Sequence, residues 1–381
     1  MFFDIVFIVA GLVLLVLGGE ALVRGASTLA AKVGISPLVI GLVVVSAATS
    51  APEFAVTVDA VLQGEPDLAV GNVVGSNIVN ILFILGLSAI VSPLIIKRQL
   101  VRFDIPVMVG ISVLLVAVSL DGQISLVDGI LLLGGLAVHT VISVVIGRRE
   151  SRATAQLTEE PIEKARPLWL ALVLLIAGIG LLVLGARLLV DGAVGIATAL
   201  GISSLVIGLT VVAVGTSLPE LATSIIAVRR GERDMAVGNI VGSNIFNIGM
   251  VLGLPAILFG QGIPVSPAAI ALDLPLMLAT AVALLPIAFT GFIIARWEGS
   301  LFVALYIAYT AYLVLASTQH DALEGFTDVM LWFVLPLLAI TLIAVTAYEV
   351  GVIRGRKAVI EGGPSENAEA AGSAPPAPPA A

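Results

Sequence analysis

GISPLVIGLVVVSAATSAPE at residues 34–53 and GISSLVIGLTVVAVGTSLPE at residues 201–220 agree at 14 of 20 positions. A second pair follows: GEPDLAVGNVVGSNIVNI at 64–81 and GERDMAVGNIVGSNIFNI at 231–248 agree at 14 of 18, and the offset is 167 throughout. An internal repeat this close fixes the architecture before any other argument. Each copy also carries a glutamate, Glu53 or Glu220, inside an apolar run long enough to cross a bilayer. A carboxylate at that depth costs about 2.5–3.5 kcal/mol on insertion scales, so it marks a functional site.

Working outward, apolar stretches recur along most of the 381 residues; 59% are hydrophobic and only 12% charged. Soluble domains carry about a quarter charged residues. The chain therefore reads as an all-α polytopic membrane protein without a separate soluble domain for an enzyme. With no cysteine, disulfides, thiolate metal sites and cysteine nucleophiles are excluded. The net charge of −8 carries no nucleic-acid signal, because the acids lie in loops, the tail and the membrane. The N-terminal MFFDIVFIVAGLVLLVLGG lacks a basic leader and reads as a first span rather than a cleaved signal.

Hydropathy gives eleven spans, at about 2–31, 36–62, 67–92, 103–119, 124–147, 168–198, 203–228, 235–259, 268–291, 299–317 and 326–349. The expected domains are a first half at 1–147, a polar connecting loop at 148–167, a second half at 168–318, an additional span at 326–349 and a Pro/Ala-rich, disordered tail at 351–381. Sixteen of the 18 Lys and Arg fall on one side if the N-terminus is outside and the C-terminus cytoplasmic. Each repeat holds five spans. An odd number makes the second copy enter from the opposite side, so two inverted five-helix repeats form a ten-span core with an eleventh span appended. Inverted repeats are a recurring plan of secondary transporters, with the site at mid-membrane.

Gly11, Gly18 and Gly25 form a seven-residue stripe that Gly178, Gly185 and Gly192 repeat, which allows close helix approach or sliding. Glu20 and Arg24, and their counterparts Arg187 and Asp191, stand i, i+4 as intrahelical ion pairs. Asp104 and Asp273, each two residues before a proline, read as caps of helix starts.

Chemistry concentrates in the repeated motifs. Pro52 and Pro219 kink the second and seventh spans, freeing carbonyls near Ser46 and Ala213 to face a ligand. Thr49 and Ser50 share a helix face with Glu53, as Thr216 and Ser217 do with Glu220. In the third and eighth spans, Ser76 with Asn80 and Ser243 with Asn247 stand i, i+4, and Gly71/Gly75 and Gly238/Gly242 are steps for close helix approach. All these donors are hard oxygens, and His139 and His320 lie outside the motifs, which excludes a soft-metal site. Such a set suits Ca²⁺ more than Mg²⁺, and Na⁺ accepts a similar cage. Two buried negative charges call for one divalent ion, two or more monovalent ions, or protons.

With these motifs the chain resembles the calcium/cation antiporter superfamily and, within it, the prokaryotic sodium/calcium exchanger family, over about residues 1–318. The resemblance implies Ca²⁺ exchanged for Na⁺ by alternating access, no bound cofactor, a home in the prokaryotic inner membrane, and sliding first and sixth spans. Carried over, the family's carboxylates fall on Glu53 and Glu220, its hydroxyls on Thr49, Ser50, Ser76, Thr216, Ser217 and Ser243, its carbonyls on Ser46 and Ala213, and an amide on Asn80. The chain departs from the pattern at Ala48, where the motif prefers glycine, and at Asn247, where some members carry aspartate. The second departure points away from potassium dependence. A third departure is the eleventh span and tail. The alternatives are a H⁺/Ca²⁺ antiporter on the same scaffold, a cation channel, and an intramembrane hydrolase. Two pseudo-symmetric carboxylates in one chain do not make a pore ring, and no His or Lys stands by the motif serines as a base.

Overall fold

The computed structural model describes residues 1–155, 167–202 and 204–361, and nearly all of them are helical. Among them, nine helices are long and apolar enough to cross a membrane, and a pair bent by 42° makes a tenth crossing. In order these are α1 (Phe2–Val33), the bent pair α2 (Pro37–Thr49) and α3 (Ala51–Gln63), α4 (Pro66–Val91), α5 (Leu100–Ser119), α6 (Leu126–Ala155) and α7 (Leu168–Ala199). After α8 (204–215) and α9 (Leu218–Arg229) come α10 (Arg233–Phe259), α11 (Ala269–Phe289), α12 (Arg296–Ser317) and α13 (322–361). The expected seventh span is thus two short pieces, α8 and α9, parted by Thr216 and Ser217. An eleventh crossing requires reading them as one broken helix.

The breaks follow from proline. Pro52 and Pro219 start α3 and α9, where a missing N–H costs nothing. The residues before those helices, Ser50 (φ −78°, ψ 3°) and Ser217 (φ −88°, ψ 6°), leave helical geometry in the same way. Wider π-helical turns also recur at equivalent places: Gly41–Val45 with Gly208–Val212, and Leu100–Asp104 with Ala269–Asp273.

The halves face each other head to tail. α1 and α7, equivalent in the repeat, run antiparallel with glycines at their crossing. A Cβ on Gly11, Gly18 or Gly25 would lie 2.7, 2.9 or 2.8 Å from the carbonyl oxygen of Gly185, Gly178 or Ala171. Two more contacts swap partners between halves. Gly86 of α4 touches Gly299 of α12, and Gly253 of α10 touches Gly129 of α6. Short strands β1 (Leu94–Ile95) and β4 (Ile293–Ile294) pair antiparallel, as do β2 (Gln123–Ile124) and β3 (Ile263–Pro264). α4 and α10 are the most buried crossings and form the centre. α13 lies outermost and leaves an apolar cavity of about 300 Å³ against α11 and α12, lined by Leu276, Ile287, Phe302 and Leu305.

Several expectations change. The connecting loop expected at 148–167 begins as helix, since α6 runs to Ala155; residues 156–166 lie outside the described residues. The tail expected at 351–381 likewise starts as α13, which continues to Glu361, and 362–381 lie outside the described residues. Hydropathy marks where the membrane ends, not where a helix must. Glu20 and Arg24 pair as expected, at 2.6 Å, but Arg230 at the end of α9 also grips Glu20 through two nitrogens. No ion pair joins Arg187 to Asp191 among the described residues; both side chains are exposed, so neither needs the other.

Asp104 does not cap a helix. The π-turn carries the helix through it, and its buried carboxylate holds His139 Nε2 at 2.9 Å and accepts from Ser143 Oγ at 2.8 Å, both on α6. Asp273 likewise makes no side-chain cap bond.

Candidate ion-binding site

The two broken crossings bring their glutamates to the centre of the molecule. Glu53 and Glu220 are fully buried. Ser217, from the second repeat, donates to Glu53 Oε1 at 3.3 Å. The hydroxyls of Thr49 and Ser243 lie beside the Glu220 carboxylate without closing to bonding distance. The second half thus lends a hydroxyl to the first half's acid.

Ser46, Thr49, Ser50, Ser76, Asn80, Ser217, Ser243 and Asn247 are all buried around this pair. Thr216 is half-buried and Ala213 is exposed, so the structure draws ten of the twelve expected residues into the interior and leaves two at its edge. The Ser46 carbonyl, expected to be free, accepts from Ser50 N–H at 2.9 Å and from Thr49 Oγ1 at 3.4 Å. The helix breaks at Ser50, one turn past Ser46, and so keeps that bond.

Buried polar atoms normally find partners, and each exception needs a reason. Among the described residues, eight of the fourteen exceptions belong to the expected site residues. Glu53 Oε2, both Glu220 oxygens, Ser50 Oγ, Ser76 Oγ, both amide atoms of Asn80 and Asn247 Oδ1 have no protein partner. The unsatisfied set is oxygen-rich and doubly acidic. It fits a hard cation with several neutral donors, the chemistry of Ca²⁺ or Na⁺. No group of three or more His, Cys, Asp or Glu exists among the described residues, so neutral oxygens must complete any such shell.

A second layer escaped the sequence reading. Asn72 Nδ2 donates to the Glu53 carbonyl at 3.0 Å and to Thr57 Oγ1 at 2.9 Å. Its counterpart Asn239 donates to Ser224 Oγ at 3.2 Å and lies 3.3 Å from Thr49 Oγ1. Asn77 Nδ2 of α4 donates to the backbone carbonyl of Asn244 in α10 at 3.3 Å. The signal was present: both copies read Gly-Asn-x-x-Gly-Ser-Asn, and these asparagines are as invariant between copies as the serines. The Asp104–His139–Ser143 cluster is buried, and Asp104 Oδ1 takes both partners at once. A nucleophile–base relay uses one histidine nitrogen for serine and the other for aspartate; here His139 Nε2 alone meets Asp104 Oδ1 at 2.9 Å and Ser143 Oγ at 3.2 Å, so the cluster is a brace between α5 and α6.

With the geometry in place, the comparisons are direct. The family model described as sodium/calcium exchanger protein matches residues 3–145 and 170–315, one match per half. The putative antiporter CaxA of Alkalimonas amylolytica is 40% identical over 317 residues, 82% of this chain and 98% of its own. The inner membrane protein YrbG of Escherichia coli (strain K12) is 43% identical over 260 residues, 66% of this chain and 78% of its own. A solved structure of the sodium-calcium exchanger NCX_Mj, soaked with 10 mM Na⁺ and zero Ca²⁺, superposes with a TM-score of 0.70 at 35% identity, covering 81% of this chain and 98% of that one.

Proposed function

This chain belongs to the sodium/calcium exchanger protein family, and from that premise we propose that it is a secondary antiporter that exchanges Ca²⁺ for Na⁺ at the Glu53–Glu220 site. One observation carries the reading: two fully buried carboxylates leave three of their four oxygens unpaired, and buried Ser and Asn oxygens of the same repeated motifs are unpaired with them. Stripping a carboxylate of water costs several kcal/mol, about the worth of a buried ion pair, and needs an opposing charge. One Ca²⁺ supplies two such charges. Protons would need only the glutamates, so the neutral Ser, Thr and Asn donors favour Na⁺ as the second ion.

The ions enter and leave by alternating access, and the antiparallel glycine crossing holds α1 against α7 so that the two move as one unit. The distribution of Lys and Arg supports an outer N-terminus and a cytoplasmic C-terminus. The similarity to an inner membrane protein of a bacterium supports the same location here. We assign the site no catalytic role: among the described residues no His or Lys hydrogen-bonds its serines, and His139 meets both Asp104 and Ser143 through Nε2 alone.

Proteoliposomes test the proposal. Internal Na⁺ drives uptake of ⁴⁵Ca²⁺, and three Na⁺ per Ca²⁺ would move one net charge, worth about 2.3 kcal/mol per 100 mV. Uptake is then faster when a K⁺–valinomycin potential makes the interior positive. Uptake that follows an imposed pH gradient with no Na⁺ present assigns H⁺ as the coupling ion, and uptake without any counter-gradient makes the chain a channel.

A further inference from the structure

The site contains two asparagine positions related by the repeat, Asn80 and Asn247, and the structure treats them differently. Asn77, from α4, lies between the halves. Its Nδ2 donates to the backbone carbonyl of Asn244 at 3.3 Å and touches Met277 Sδ at 3.6 Å. A carbonyl only accepts, so the atom facing it must be the nitrogen, which fixes an amide orientation that is otherwise open to a flip. Asn77 Oδ1 therefore points the other way, and it accepts from Asn247 Nδ2 at 3.1 Å. The assignment passes along the chain of bonds. Asn247 is held by its nitrogen, and its buried Oδ1 is left without a protein partner.

The first half has no such chain. Asn244, the counterpart of Asn77, donates instead to Ile240 O on its own helix at 3.0 Å. Asn80, the counterpart of Asn247, has neither amide atom bonded.

We infer that Asn77 is a positioning residue that holds Asn247 with its oxygen toward the ions, a preset neutral donor, whereas Asn80 is free to rotate. The inference rests on the ion-site reading above. An amide turned the other way would present N–H groups to a cation. A donor already oriented gives up no rotamer freedom when the ion arrives. Asn77 thus acts on affinity through Asn247, without touching the ion.

A double-mutant cycle on equilibrium ⁴⁵Ca²⁺ binding tests this, because it isolates the coupling between the two residues. Asn77→Ala weakens Ca²⁺ binding about three- to tenfold, the net worth of one hydrogen bond. In the Asn247→Asp background the same substitution has no effect beyond about 1.5-fold, because a carboxylate offers an oxygen in either rotation. Asn77→Ser, which keeps an acceptor for Asn247, retains most of the wild-type affinity and stands in should the alanine variant not fold. An equal loss in both backgrounds, or none in the wild-type background, overturns the inference. A wild-type chain that binds no Ca²⁺ removes the ion-site reading itself, and this inference with it.

Discussion

α2 and α8 are the same piece of sequence used twice, yet they lie in opposite surroundings. α2 is shut onto α10. A Cβ on Gly41 would lie 2.5 Å from Met235 O, one on Gly238 2.6 Å from Leu38 O, and one on Gly242 2.7 Å from Ser46 Oγ. At the equivalent positions, Gly208, Gly71 and Gly75, an added Cβ would meet nothing within 4 Å among the described residues. Exposure follows the same division: Ser46 and Thr49 are buried, Ala213 is exposed and Thr216 half-buried. A site symmetrical in sequence is therefore closed at one end only. The alternating access proposed above needs such an asymmetry, with an exchange of roles between α2 and α8 giving the opposite state. Arg230 marks the same polarity. It ties α9 to Glu20 of α1, while its counterpart Gln63 donates to Asp59 on its own helix at 2.6 Å.

The glycines break this comparison most sharply. Gly242→Ala puts a methyl against the Leu42 carbonyl and Ser46 Oγ, so it opens the closed end and removes transport. Overpacking of this kind costs about 1–3 kcal/mol. Gly75→Ala has free space in this state, so the chain keeps its thermal stability. It still slows ⁴⁵Ca²⁺ exchange by at least about tenfold, because α8 must reach that surface in the other state. Equal behaviour of the two variants in both stability and flux contradicts the one-sided closure.

A smaller difference separates the threonines. Thr49 lies 3.3 Å from Asn239 Oδ1 and 3.5 Å from Ser243 Oγ, whereas Thr216 is half-buried and no side-chain hydrogen bond of it is among those described. Thr49→Ala weakens Ca²⁺ binding about three- to tenfold, and Thr216→Ala about threefold or less, given the usual net worth of one hydrogen bond. Titration of the two variants by ⁴⁵Ca²⁺ binding reads the gap, and the reverse order would place the tighter half of the site on α8.

Much of this was legible in the chain. The 167-residue offset showed the repeat, the prolines located both breaks, and i, i+4 spacing gave the Glu20–Arg24 pair. Spacing could not find Arg230, which meets Glu20 from 210 residues away. Nor could it tell that the Gly238/Gly242 step is occupied and the Gly71/Gly75 step empty, because identical motifs carry no record of which half is closed. Asp104 was misread as a cap because a π-turn extends its helix backward, and no local pattern announces a partner on α6. The asparagine layer was within reach, since Asn72 and Asn77 recur as Asn239 and Asn244.

The central claim is that a single site between Glu53 and Glu220 serves Ca²⁺ and Na⁺ in turn. Equilibrium ⁴⁵Ca²⁺ binding to the purified chain, titrated with Na⁺, tests it most directly. The expected result is displacement of Ca²⁺ by Na⁺ with a Hill coefficient above one, and a loss of Ca²⁺ affinity of at least about a hundredfold in Glu53→Gln and in Glu220→Gln, the scale of unpairing a buried charge. Ca²⁺ affinity that is indifferent to Na⁺, or that survives in either glutamine variant, contradicts the account.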